Sequence, residues 1–111
     1  MFGSFHKVDN LVAIVDYNHI QLDGFVKDIL DLEPLTDKWK AFGWHTIDVD
    51  GHSFPALQQA FAEAAATQGK PTVLIAHTVK GKGVSFMENN PKYHGVAPTA
   101  AEVDAALKEL A

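Results

Sequence analysis

Continuous apolar runs alternate along this chain with stretches whose apolar residues recur every three or four positions. Residues 11–15, Leu-Val-Ala-Ile-Val, are followed by Asp16, Tyr17 and Asn18. Such a run predicts a strand buried on both faces that ends in a polar loop. Residues 44–49 predict a second strand, apolar apart from His45, Thr46 and Asp48, which leaves through Asp50-Gly51-His52. Residues 72–77, led by Pro71, predict a third, of the kind a parallel sheet buries. Between the first two, residues 25–32 predict only a short helical turn or irregular segment. Glu33-Pro34 opens a better helix, with Leu35, Lys38, Trp39 and Phe42 giving its period and Gly43 its left-handed stop. After Ser53 as cap, Phe54, Leu57, Phe61 and Ala64 or Ala65 mark one face of the next helix, ended by Gly69. Trp39, Phe42, Phe54 and Phe61 read as core. Residues 79–98 form a loop rich in Gly, Asn and Pro, long enough to suggest function. Thr99-Ala100-Ala101-Glu102 is a capping-box pattern, and Val103, Ala106, Leu107 and Leu110 form the face of a closing helix. Residues 1–7, with Phe2 and Phe5 on one face, look like the last turns of a helix, as though the chain began inside a domain.

Strand, helix, strand, helix, strand predicts an α/β fold: a partial parallel sheet of about three strands with flanking helices. So few strands leave an edge that is open, covered by another chain, or exchanged between copies, so a homo-oligomer is expected. Parallel strands would gather their polar carboxyl ends, residues 16–20, 50–52 and 77–83, around a common crevice, where ligands bind in such sheets. There Asn18 and the Ile20 carbonyl offer oxygens that suit a hard cation such as Mg²⁺. Taken alone, an Asn after a strand is more often a turn residue than a ligand, since it tolerates left-handed backbone. Lys80-Gly81-Lys82-Gly83 offers flexible amides and two ammonium groups to a diphosphate, although it lacks the ending of a Walker loop. It reads just as well as a mobile loop with solvated lysines. His6, His19, His45, His52, His77 and His94 show no helical pair that would suggest a zinc site. Asp16, placed before Tyr17 and Asn18, is read as an anchor of its loop.

Length and charge narrow the classes. At 111 residues the chain is one small domain or part of one. A formal charge of −5 argues against nucleic acid, whose binders concentrate Lys and Arg. The absence of cysteine excludes disulfides and thiolate metal sites and fits a cytoplasmic protein. No apolar run approaches the ~20 residues that span a bilayer, and no signal peptide is visible, so no membrane is expected.

Val15-Asp16-Tyr17-Asn18-His19-Ile20-Gln21-Leu22-Asp23-Gly24, with His77-Thr78-Val79-Lys80-Gly81-Lys82-Gly83 and Tyr93-His94-Gly95 downstream, resembles the thiamine-diphosphate-binding domain of transketolase. The likeness is closest to the bacterial and archaeal type whose N-terminal half is a separate subunit, and it runs over essentially the whole chain. It implies that residues 1–111 are part of that domain. In the family the residue matching Asn18 is a side-chain ligand of the Mg²⁺ that holds the diphosphate, and the one matching Ile20 gives its backbone carbonyl. The histidine matching His94 reaches the diphosphate and the donor-substrate end, a catalytic position. Val79 looks like the apolar residue beside the thiazolium, and His77, Lys80 and Lys82 belong to the loop closing that end.

The family motif opens with a Gly-Asp-Gly triplet that this chain does not contain. Asp23-Gly24 and Asp50-Gly51 lie on the wrong side of the strand to replace it. The substrate-channel histidines and the pyrimidine-binding domain, whose glutamate protonates the aminopyrimidine, are also missing. The resemblance thus implies a fragment or subunit of a transketolase, moving a two-carbon ketol unit between sugar phosphates with thiamine diphosphate and Mg²⁺ and inactive alone. Its expected partners are the missing N-terminal piece and the pyrimidine-binding subunit. The alternatives are the related synthase that condenses pyruvate with glyceraldehyde phosphate, and a non-catalytic, self-associating module derived from the fold.

Overall fold

The third apolar run becomes the middle of the sheet. In the computed structural model, which describes residues 1–22 and 24–111, the elements in chain order are α1 (Phe2–Phe5), β1 (Val12–Tyr17), β2 (Ile20–Gln21), β3 (Gly24–Phe25), α2 (Val26–Ile29), α3 (Leu35–Ala41), β4 (His45–Asp50), α4 (Phe54–Ala66), β5 (Thr72–His77) and α5 (Ala100–Glu109), with a 3-10 turn at Pro91–His94. They fall into two compact units, residues 1–17 with 32–78, and residues 18–31 with 79–111. Asp23, part of the motif quoted above, lies outside the described residues.

In the first unit β1, β5 and β4 form the parallel sheet that the alternating pattern predicts, with β5 in the middle. Val12 stands opposite Thr72 and Tyr17 opposite His77; on the other side His45 pairs with Thr72 and Asp50 with His77. Residues 72–76 are all buried, because β5 has a strand on each edge and packing on each face. On one face Leu74 and Ala76 pack with Val49 against Ala60 and Ala64 of α4. On the other, Val73 and Ile75 pack with Tyr17 against Leu35 and Trp39 of α3 and against Trp44.

Two expectations about burial are corrected. β1 is not buried on both faces: it is an edge strand, with Ile14 57% exposed, because α4 packs over β4 and β5. Of the aromatic residues read as core, Trp39 packs inside, but Phe42, Phe54 and Phe61 are exposed. Of the predicted face of α4, Leu57 and Ala64 do pack on the core, joined by Ala60 rather than by Phe54 and Phe61, and the small alanines let the helix lie close to the sheet. Ser53 caps this helix, its hydroxyl accepting from Ala56 N at 3.4 Å. Gly43, just past α3, has φ +81°, the left-handed stop that its position predicts.

The second unit holds an antiparallel pair that apolar periodicity does not signal. In β2 and β3, Ile20 stands opposite Phe25 and Gln21 opposite Gly24, and the short helix α2 follows. The first half of residues 79–98 is a run of turns: Lys82 N donates to Val79 O at 3.1 Å, Met87 N to Val84 O at 2.9 Å, and Asn89 N to Lys80 O at 3.0 Å. The expected capping box opens α5, with Thr99 Oγ1 accepting from Glu102 N at 3.3 Å and Glu102 Oε2 from Thr99 N at 2.7 Å. The predicted face of α5 remains open, since Val103, Leu107 and Leu110 are exposed. Among the described residues no helix is long and apolar enough to cross a membrane.

Candidate functional site

Parallel pairing sets Tyr17, His77 and Asp50 abreast at the carboxyl end of the sheet in the first unit. The chain leaves that end under polar restraint. Thr78 Oγ1 donates to the Asp16 carboxylate, which gives Asp16 the anchoring role expected of it, and Thr78 N donates to Tyr17 O at 3.3 Å. His77 Nε2 lies 2.9 Å from Asp48 Oδ1, and the same carboxylate accepts from Thr36 Oγ1 at 3.0 Å. The imidazole ring is 5.7 Å from that of Tyr17, whose hydroxyl donates to Glu33 Oε1 at 2.8 Å. At the end of β4, Asp50 Oδ1 accepts from His52 N at 2.9 Å, closing a turn. His77 is therefore built into a network of Asp48, Thr36 and Tyr17.

All the other predicted site residues belong to the second unit: Asn18, Ile20, Val79, Lys80, Lys82 and His94. Asn18 is half-buried, and its Oδ1 accepts from Ile20 N at 3.0 Å. That bond tightens the turn, His19 takes φ +61°, and His19 O accepts from Val26 N at 2.9 Å, so that Ile20 enters β2. The turn reading of Asn18 is thus realised. An amide oxygen has two lone pairs, however, so one accepted hydrogen bond leaves capacity for a cation.

Val79 and Lys80 are half-buried and Lys82 is exposed, with its Nζ 3.6 Å from Glu88 Oε1. Glu88 also accepts from Gly83 N at 3.0 Å. Gly81 has φ +76°, and a Cβ there would sit 2.6 Å from Met87 O, so the turn requires glycine. Farther along, Asn90 Oδ1 accepts from Lys92 N at 3.1 Å and Asn90 Nδ2 donates to Phe86 O at 3.1 Å, shaping the turn that presents His94. Tyr93 secures it, donating from its hydroxyl to Glu102 Oε1 at 2.8 Å.

Glu102 is therefore shared between the cap of α5 and the turn before His94. The Thr99 amide first, then Tyr93 and the Thr99 hydroxyl, hold its carboxyl down at about 2. Through the same hydrogen bond Glu102 raises the Tyr93 hydroxyl above its ordinary range. Leu22, at the end of the Asn18 hairpin, and His94 line one open groove of about 340 Å³ with Pro91, Lys92 and Gly95.

Sequence reasoning gave no supporting role to Asp48, Thr36, Asn90 or Tyr93, although Tyr93 stands in a quoted motif. Asn90-Pro91 carries a turn signal, whereas the Asp48 partnership depends on strand order and leaves no local trace. Among the described residues no three His, Cys, Asp or Glu side chains converge as a metal-binding group. Asn18 and the Ile20 carbonyl fit part of a Mg²⁺ shell, a cation that takes few protein ligands beside phosphate and water.

A family model described as the transketolase, thiamine diphosphate binding domain matches residues 2–111. The chain is 43% identical over 110 residues to the 6-deoxy-6-sulfo-D-fructose transketolase subunit of Clostridium sp. (strain MSTE9), a match covering 99% of this chain and 40% of that protein. It is 41% identical over 110 residues to an apulose-4-phosphate transketolase subunit of Phocaeicola vulgatus, covering 99% and 39%. Among solved structures, the transketolase of Campylobacter jejuni superposes with a TM-score of 0.89 at 27% identity, over 97% of this chain and 17% of that one. That of Leishmania mexicana gives 0.87 at 29%, over 97% and 16%. The chain spans about two fifths of the length of the bacterial subunits it matches.

Proposed function

Since the chain belongs to the transketolase thiamine-diphosphate-binding domain family, we propose that it is one portion of a cofactor-binding domain, active only when the remainder and a pyrimidine-binding subunit complete it. The observation that carries this reading is the hairpin at the exit of β1, which holds Asn18 Oδ1 and Ile20 in one tight turn whose end shares a groove with His94. Asn18 Oδ1 and the Ile20 carbonyl would hold Mg²⁺, whose positive charge would favour a diphosphate there. Lys80 and Lys82 would add positive charge, and Val79 would supply the apolar contact that excludes water. His94 would act as the catalytic residue, placed by the turn that Asn90 and Tyr93 hold. His77 would steady the root of the Val79 loop, itself oriented by Asp48. Thiamine diphosphate, when bound, supplies the carbon centre that takes up and releases the two-carbon ketol unit.

The two bacterial relatives are named for ketoses ending in a sulfonate or a phosphate. A ketose with an anionic end is accordingly the proposed donor and a sugar phosphate the proposed acceptor, in a cytoplasmic, oligomeric enzyme of pentose phosphate metabolism. Reconstitution with the rest of the domain and a partner subunit tests this. Ketol transfer from such a donor, absent for the chain alone and lost with His94→Ala, is the expected result. Transfer unaffected by His94→Ala would remove His94 from the mechanism, and carbon dioxide release from pyruvate would favour the synthase chemistry instead.

A further inference from the structure

Helix α5 meets the 79–98 loop with its acids rather than with its apolar stripe. Val103 and Leu107 are exposed, while Glu102, Ala105 and Ala106 are half-buried. A helix docked by burial turns its apolar stripe inward, so side-chain hydrogen bonds take over that task here. Glu102 and Glu109 are seven positions apart in α5, which sets them on one face of the helix, about two turns and ~10 Å apart along its axis.

Each carboxylate grips a different stretch of the loop. Glu109 accepts from Ser85 N through Oε2 at 2.6 Å and from Ser85 Oγ through Oε1 at 2.9 Å. Next to it, a Cβ added at Gly83 would sit 3.0 Å from Leu110 Cδ2, so the end of the Lys80-Gly81-Lys82-Gly83 turn lies against the end of α5. Toward the start of the helix Glu102 Oε1 accepts from the Tyr93 hydroxyl at 2.8 Å, and Lys92 Nζ lies 3.6 Å from the same oxygen and 5.0 Å from the centre of the Tyr93 ring. Both residues that precede His94 therefore converge on one carboxylate. The Phe86 and Tyr93 rings meet edge to face at 5.8 Å and join the two stretches. Ionised acceptors make the stronger hydrogen bonds, and Glu102, held down at about 2, is ionised at neutral pH.

We infer that α5 splints the cofactor loop and that its two glutamates are positioning residues, Glu102 for His94 and Glu109 for the turn that carries Lys80 and Lys82. This deepens the reading given above, on which it rests, by dividing the loop's work between its two ends. The Glu109 end sets how firmly the diphosphate is held, and the Glu102 end sets how His94 is aimed at the donor. Displacing a reacting group by about 1 Å can cost ~100-fold in rate, which gives a remote carboxylate leverage on the chemistry.

The test compares variants in the completed domain with its partner subunit and, as a second readout, in the cofactor-free chain. Tyr93→Phe removes only the hydroxyl and keeps the ring and the α5 cap. It should lower kcat about tenfold or more and leave the thiamine diphosphate concentration for half-saturation within about twofold. Glu109→Ala should do the reverse, raising that concentration about tenfold with kcat at saturating cofactor within about twofold, and Glu109→Gln, which keeps one acceptor, should recover most of the loss. The exposed Ala101→Gly weakens the helix without touching either carboxylate and should move neither quantity. In the cofactor-free chain, the His94 imidazole resonances should shift in Tyr93→Phe and not in Glu109→Ala, whereas the Lys82 and Met87 amides should exchange about tenfold faster in Glu109→Ala alone. Both kinetic quantities moving together in the two variants, effects matched by Ala101→Gly, or unmoved His94 resonances in Tyr93→Phe would each overturn the proposal. Transfer abolished by His94→Ala but untouched by Tyr93→Phe would sink the positioning role alone. Transfer untouched by His94→Ala would sink the site reading, and the resonances of the cofactor-free chain would then judge the positioning role by themselves.

Discussion

Asn18 uses one atom for two tasks in this account, closing its own turn and offering a lone pair to Mg²⁺. Its Oδ1 accepts from Ile20 N at 3.0 Å, so Asn18→Asp keeps both the turn and an oxygen ligand, and Asn18→Ala loses both. In the completed domain, Asn18→Ala should raise the Mg²⁺ concentration needed for half-saturation roughly tenfold to a hundredfold, with Asn18→Asp close to wild type. A titration that finds Asn18→Ala unchanged would take the metal away from this residue. Glu102 gives a pH prediction with a definite sign. Its carboxyl titrates at about 2 in the folded chain against 4.5 unfolded, so its stabilisation is complete above about 4.5 and is lost as pH falls towards 2. Circular dichroism over that interval should show α5 and the Tyr93 turn loosening, and Glu102→Gln should flatten that part of the profile. The sequence displays Glu102 as a capping residue because Thr99 is three positions away. Its second bond, to Tyr93, depends on a loop conformation that spacing alone does not specify.

Elements were legible where their causes are local. β5 and α5 follow from a continuous apolar run and a capping box, both contained within a few residues. Replacing Thr99 with Ala removes the cap and should cost about 1 kcal/mol in a denaturant melt. At Gly81, φ +76° and the nearby Met87 carbonyl leave no room for a side chain, so Gly81→Ala should destabilise the 79–89 turns by about 1–3 kcal/mol. Equal stability of that variant would show that the loop yields there. The β2 and β3 pair was not legible, because two-residue strands are too short to carry a period and their cause is a side-chain turn at Asn18. In α4, the predicted face of Phe54, Leu57, Phe61 and Ala64 and a face through Leu57, Ala60 and Ala64 both fit helical spacing. The sheet accepted the smaller stripe. The apolar run of β1 reports that strand's composition but not its place at an edge, which long-range pairing decides.

For the whole molecule, the parallel α/β class follows from the order of its runs, and the family from motifs spread over the chain. The candidate site is legible only in part, since the Gly-Asp-Gly half of the family motif is not among these residues and two oxygens cannot fill an octahedral shell. Ile14 on β1 and Phe61 on α4 are exposed apolar side chains in the unit that holds the three-stranded sheet. The central claim is that this chain holds one part of a thiamine diphosphate site and needs the rest of the domain to close it. Titration calorimetry with thiamine diphosphate and Mg²⁺ tests it most directly, comparing the chain alone with the chain joined by the missing part of the domain. The account predicts no measurable heat for the chain alone at millimolar ligand and Mg²⁺-dependent, one-to-one binding for the completed domain. Binding of equal strength by both, or by neither, would contradict it.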